Sequence, residues 1–346
     1  MLIDFKEKID DINMQTIVST IKDGGLVVFP TETVYGIGAD TFNVQAVKNI
    51  FKAKGRASDN PLIAHISNES MLSKLTKNVP DVAKILMSAF WPGPLTIVFD
   101  KVDSVPMEVT GGLDTVAVRM PSNIIAKAII EASNTPLVAP SANVSGKPSG
   151  TNIEDIYEEL KDKVDIIVDG GATDVGIEST VVKIVDNKVV ILRPGKVTKE
   201  DIESLGLCCE FDSHIFHKVE SSEKVASPGM KYKHYAPDAK CVMIEGNNDK
   251  KVSKILELAH NETGKVLIIC VKENMAKYSG FQTLEMGSMF DYSSIAKNIF
   301  SCLRKANTIS PDLILLEGVD RSGIGVSIMN RMIRACAYNV INVDDK

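Results

Sequence analysis

The feature that most limits the fold is an alternation of short, continuous apolar runs with stretches of helical spacing. GLVVFP (25–30), PLIAHI (61–66), PLTIVF (94–99) and TVAVRM (115–120) read as buried strands. So do TPLVAP (135–140), DIIVDG (165–170), STVVKIV (179–185) and KVVILRPG (188–195). Between them, VQAVKNIFKAK places Val44, Val47, Ile50 and Phe51 on one helical face, with Gly55 as its stop. VAKILMSAFW (82–91), NIIAKAIIEA (123–132) and NIEDIYEELKD (152–162) are further helices. There are too many strands for the crossovers available, so a twisted mixed sheet with antiparallel pairs is expected rather than a pure Rossmann half.

The rhythm lapses over 205–238, a polar stretch that carries two prolines and reads as a long linker. It resumes from Lys240: KCVMIEG, KVLIICV and DLILLEGV are buried strands, spaced by helical KKVSKILELAH and SSIAKNIFSCLRKA. A helix in VSIMNRMIRACAY then precedes a last strand in NVINV, which makes a small doubly wound α/β unit. The expected layout is a mixed-sheet domain over 1–207, a linker or lid over 208–238 and a Rossmann-like domain over 239–346.

With 45 acidic against 39 basic residues the chain has a net charge of −6, which argues against broad nucleic-acid binding and leaves room for a local basic site. The six cysteines form no CxxC pair and read as buried, reduced thiols. MLIDFKEKIDDINMQ has acids where a secretory signal has its apolar core, and no apolar run nears the ~18 residues that span a bilayer. A cytoplasmic enzyme is the expectation.

GxxxxGK[ST] and GxGxxG are both absent, so a bound nucleotide needs side chains and strand-end loops to hold it, and the glycines are expected mostly in turns. FKAKGRASDNP supplies Lys54 and Arg56 around the helix stop at Gly55, with Asn60 held extended by Pro61 and Lys52 left on the surface. PTETVYG, if extended, puts the hydroxyls of Thr31, Thr33 and Tyr35 on one face, although a plain β-strand fits its spacing equally. PSANVSGKPSG carries Ser141 and Asn143 two apart, then Ser149, a loop dense in donors that suits an anion or nucleotide. Arg119 and Arg193 end their strands beside proline, where a guanidinium fork can take a carboxylate or phosphate. His65 reads locally as a satisfied, half-buried strand residue. In SPGMKYKHYAP, Lys231, Tyr232, Lys233, His234 and Tyr235 form a cationic-aromatic cluster suited to a lid over an anionic, base-bearing ligand.

Taken in order, PTETVYGIGAD, KAKGR with DNPLIAHI, WPGPLTIVF, VAVRMP, PLVAPSANVSGKPSGT, GIESTVV, ILRPG and SPGMKYKHYAP resemble the threonylcarbamoyl-AMP synthase family in its long, two-domain form. The resemblance spans essentially the whole chain, with GIGVSIMNRMIRA in the second domain. It implies a YrdC-like domain followed by a linker and a Rossmann-like domain. It also implies synthesis of L-threonylcarbamoyl-AMP from L-threonine, bicarbonate or CO2 and ATP, with release of pyrophosphate. Mg2+ would accompany ATP, and a partner transferase would pass the product to an adenosine of tRNA beside the anticodon. By the family pattern Thr33, His65, Arg119 and Ser179 hold threonine, with Arg119 on its carboxylate. Lys54, Arg56, Asn60, Ser141 and Asn143 meet the phosphates, while Thr115, Ser149 and Arg193 complete the ATP pocket. Tyr235 closes the lid, with Lys231 and His234 near it. The alternatives are an RNA-binding module, which the acidic charge opposes, and a carbamoyl-transfer enzyme with a YrdC-like domain, whose acylphosphatase and zinc-finger modules are missing from the sequence.

Overall fold

The computed structural model describes residues 1–215 and 235–345. They divide into two compact units, the first built from 1–145 and 149–215, the second from Gly146–Pro148 and 235–345. Each is described by itself.

In the first unit the strands are β1 (Leu2–Asp4), β2 (Val27–Phe29), β3 (Gly36–Asp40), β4 (Ile63–His65), β5 (Leu95–Asp100) and β6 (Thr115–Arg119). They continue with β7 (Leu137–Val138), β8 (Ile166–Asp169), β9 (Thr180–Val185), β10 (Lys188–Arg193) and β11 (Cys209–Phe211). They form one eleven-stranded sheet in the order β1-β8-β2-β3-β7-β4-β6-β5-β9-β10-β11. Parallel pairs such as β4–β6 and β5–β9 alternate with antiparallel ones such as β5–β6 and β9–β10, so the sheet is mixed, as the sequence predicts. β11 lies within the stretch expected to be linker and pairs parallel with β10.

The strand period decides what each face carries. Ala64, Ile97, Phe99, Val116 and Val118 join the main core, together with Ile17, Ile50, Leu86 and Ile129 from the helices. The intervening residues Ile63, Val98 and Ala117 join Val181 and Leu192 in a small separate cluster. By that alternation His65, Thr96 and Arg119 point to the face away from the main core, and the β4–β6 and β5–β6 registers set both His65 and Thr96 directly opposite Arg119. The period of two thus gathers polar residues at the strand ends.

Some expectations fail for identifiable reasons. PTETVYG does not stay extended. The Thr31 hydroxyl accepts from the N–H groups of Thr33 and Val34 and donates to Val34 O at 2.7 Å, folding the segment into a tight turn between β2 and β3. Gly36 and Gly38 are strand residues, not turn residues: a Cβ at Gly38 would lie 2.4 Å from the Phe29 ring of the neighbouring strand. Of NIEDIYEELKD only Tyr157–Leu160 is α-helical. Upstream, the Asn152 and Asp155 side chains bond to backbone amides of Asp155 and Thr151, an alternative to the helical ladder.

The second unit holds β12 (Lys240–Glu245), β13 (Val266–Val271), β14 (Gln282–Gly287), β15 (Leu313–Glu317) and β16 (Val340–Asn342). They form a parallel sheet ordered β14-β13-β15-β12-β16, with helices Asn248–Asn261, Tyr292–Ile309 and Ile324–Ala335 in its crossovers. Every residue of β13 and β15 is buried, which matches their unbroken apolar runs.

Candidate functional site

The site begins with the turn that β2 feeds. Arg119, at the end of β6, donates from Nη1 to Thr33 Oγ1 at 2.8 Å and from Nε to Gly93 O at 3.3 Å. Thr33 and Thr31 hydroxyls are 2.8 Å apart. Since the Thr31 proton goes to Val34 O, Thr33 donates to Thr31 and keeps a lone pair for Arg119. Arg119 Nη2 lies 2.7 Å from Glu32 Oε1, off the hydrogen-bond axis, so this is a charge contact; both side chains are buried. Burial alone would raise the Glu32 carboxyl, but the Arg119 charge and backbone N–H groups together hold it below its ordinary value. His65, beside Arg119, is fully buried rather than half-buried, with Nδ1 3.1 Å from Ile63 O. Burial, reinforced by the Arg119 charge, pushes it down to about 3, so it is neutral at physiological pH.

Thr96 continues this row across β5. Its hydroxyl meets Ser179 Oγ at 2.8 Å. Arg193 then caps Ser179, donating from Nε and Nη2 to its carbonyl at 3.1 and 3.0 Å and from Nη2 to Oγ at 3.1 Å. Thr33, His65, Arg119, Ser179 and Arg193 therefore belong to one buried row at the strand ends.

A second group forms where the helix Val44–Lys54 stops. Asn43 caps its start, and its end is a left-handed Gly55 (φ 60°) whose N–H bonds to Lys52 O while Arg56 N bonds to Phe51 O. That reversal takes Arg56 out of the helix, and Arg56 Nη2 reaches Pro61 O at 3.1 Å and Asn60 O at 3.4 Å. Lys52 is exposed, as expected, but Lys54 is buried. Its ammonium donates to Ser141 O and to Asn143 O, the latter at 2.8 Å, and so holds the loop after β7. Ser141 and Asn143 are co-facial, joined by a 2.6 Å hydrogen bond. Asn60 is buried, and its Oδ1 has no hydrogen-bond partner among the described residues. Ser149 donates to Glu178 at 2.7 Å, beside Ser179.

Thr115 stands apart, at the opposite end of β6 from Arg119. Tyr235 falls in the second unit with a left-handed backbone (φ 61°), its ring stacked on Phe300 at 4.9 Å. Lys231 and His234 lie outside the described residues. The sequence reading passed over Glu32, Thr96 and Glu178. The available signal was an acid directly beside a candidate threonine or serine in PTET and GIEST, next to buried strands.

The comparisons bear on the family and the fold. Residues 19–195 match the Sua5/YciO/YrdC family, described as "Telomere recombination", and residues 197–337 match "Threonylcarbamoyl-AMP synthase, C-terminal domain". The chain is 42% identical to the threonylcarbamoyl-AMP synthase of Pyrococcus abyssi over 345 residues, covering 99% of each chain. It is 40% identical to that of Bacillus subtilis over 333 residues, covering 96% of this chain and 95% of the relative. Among solved structures, P. abyssi Sua5 complexed with L-threonine superposes with a TM-score of 0.92 at 41% identity, covering 99% of both chains. The H234A/Y235A form of P. abyssi Sua5 gives 0.93 at 41% identity, over 99% of this chain and 98% of that one.

Proposed function

We propose a reaction for this chain from one premise: it belongs to the threonylcarbamoyl-AMP synthase family. It makes L-threonylcarbamoyl-AMP from L-threonine, bicarbonate or CO2 and ATP, releasing pyrophosphate. The product serves a tRNA threonylcarbamoyl transferase that modifies the adenosine beside the anticodon, and we place the reaction in the cytoplasm. Among the described residues no helix is long and apolar enough to cross a membrane.

The observation that carries the reading is the buried row Thr33–Arg119–His65. An amino acid needs a cation for its carboxylate and neutral polar groups for the rest, and this row offers a fixed guanidinium, a hydroxyl and a neutral imidazole. Arg119 takes the threonine carboxylate, with Thr33, His65 and Ser179 around it. Arg56, Asn60, Ser141 and Asn143 face the ATP phosphates, and Lys54 adds charge behind them. Ser149 and Arg193 complete the nucleotide pocket, to which the family pattern adds Thr115 from the far end of β6.

The chemistry asks for placement more than for a covalent nucleophile. The threonine amine attacks the carbon of CO2, or of bicarbonate with loss of its hydroxyl as water, and sheds a proton to leave a carbamate; a carbamate oxygen then attacks the α-phosphate, expelling pyrophosphate. Both steps bring anions together, so cations fixed in advance lower the barrier. Magnesium accompanying ATP would supply positive charge to screen the leaving pyrophosphate. Among the described residues no three His, Cys, Asp or Glu side chains gather to hold a metal.

Incubation with ATP, magnesium, bicarbonate and L-threonine should release pyrophosphate in step with the threonyl adduct of AMP. Pyrophosphate release that is indifferent to threonine would refute the assignment.

A further inference from the structure

Tyr35 is fully buried, two residues beyond Thr33, and no step above uses it. Its backbone ties the turn to the Ser141–Ser149 loop: Tyr35 N donates to Gly150 O at 3.0 Å and Ala142 N donates to Tyr35 O at 2.7 Å. Its hydroxyl reaches a different segment, donating to Gly171 O at 2.6 Å and accepting from Gly170 N at 3.1 Å. Burial raises this phenol further, so it stays protonated as a donor at any pH the protein survives.

The segment from Gly170 leads to Glu178 and Ser179. It is fastened to the same turn twice more, by Val175 N to Glu32 O at 2.9 Å and Gly176 N to Thr33 O at 3.1 Å. Of these three fastenings only the one at Tyr35 is made by a side chain. We propose that the Tyr35 hydroxyl is a positioning group for the threonine half of the site, aligning the Thr33 turn with the segment that delivers Ser179. The phosphate-facing Ser141–Asn143 loop depends on the Tyr35 backbone instead, and survives loss of the hydroxyl. This rests on the assignment of Thr33 and Ser179 to threonine.

Tyr35→Phe removes the hydroxyl and keeps the ring that fills the core. In the pyrophosphate assay the threonine KM should rise about tenfold or more, as both hydrogen bonds of the hydroxyl are lost, while the ATP KM stays within about twofold. Amide exchange over 170–179 should quicken, and exchange over 141–150 should not. A general loss of packing would cut the active fraction without separating the two KM values, so equal or absent changes overturn the proposal. Should Tyr35→Phe fold poorly, Asp169→Ala frees the same segment by removing the acceptor of Gly171 N at 2.9 Å. It should raise the threonine KM in the same way, and an unchanged value would count against the proposal. If wild type itself releases pyrophosphate without threonine, the functional assignment fails, and the exchange measurement still decides whether the hydroxyl holds the segment.

Discussion

His65 should make the first unit sensitive to mild acid. The fold holds its imidazole at about 3, against the ordinary 6.5, because it is buried beside Arg119. The folded protein therefore refuses a proton that the unfolded chain accepts below pH 6.5. The contribution is fully present above that pH, is lost as the pH falls through 6.5, and stops changing near 3. At pH 5, one and a half units below 6.5, the loss comes to about 2 kcal/mol, an order-of-magnitude figure for a buried group. The sole tryptophan, Trp91, lies in the first unit, so its fluorescence during urea unfolding reports that unit. Wild type should lose about 2 kcal/mol more stability between pH 7 and pH 5 than His65→Gln, which cannot take up the proton. The carboxylates common to both proteins cancel in the comparison. Equal losses in the two would show that His65 titrates normally and that the neutral imidazole assigned to the site is wrong.

Arg119→Ala should abolish measurable threonine use and also lower stability by about 3–5 kcal/mol, because Glu32 is left buried without its counter-ion; adding Glu32→Gln should restore much of the stability and none of the activity. Arg56→Ala should raise the ATP KM and spare the threonine KM, and the reverse pattern in steady-state kinetics would reassign Arg56. Tyr235→Ala should lower turnover while leaving the Trp91 unfolding curve unchanged, because its ring packs on Phe300 in the second unit. Of the six thiols one, the exposed Cys208, should react quickly with a disulfide reagent in the native protein. The others are buried, and burial pushes Cys209 and Cys270 up to about 12.

What the sequence disclosed depended on how local its causes were. The helix Val44–Lys54 and its stop at Gly55 were legible because cap and apolar period sit within one short stretch. The continuous strands were legible for the same reason. β14 was not, since QTLEMG is half exposed and has no apolar run. β3 was hidden by two glycines whose purposes, Gly38 admitting the Phe29 ring and Gly36 admitting Ala139, show only once the neighbouring segments are in place. At the site, residue types and loops could be picked out, but partners could not. Glu32 gains meaning from Arg119, and the Tyr35 hydroxyl from Gly170 and Gly171, more than a hundred residues away in each pairing of Tyr35.

The four cations of the first unit's site share a device that spacing does not reveal. Lys54 donates to the carbonyls of Ser141 and Asn143, Arg56 to those of Asn60 and Pro61, Arg119 to that of Gly93, and Arg193 to that of Ser179. Each long side chain is thus fixed by main chain at a strand or helix end before a substrate arrives. Backbone acceptors orient a cation without cancelling its charge, as a carboxylate would. Arg119 also has the buried Glu32 against it, and it is assigned to the small zwitterionic substrate, where a fully uncompensated guanidinium would favour any passing anion. In an acidic chain this arrangement concentrates positive potential in one place and removes the entropy cost of ordering the side chains during the reaction. It also follows that exchanging Lys54 and Arg56 for one another keeps the charge and loses the fit, because an ammonium between two carbonyls and a guanidinium fork do not occupy the same space.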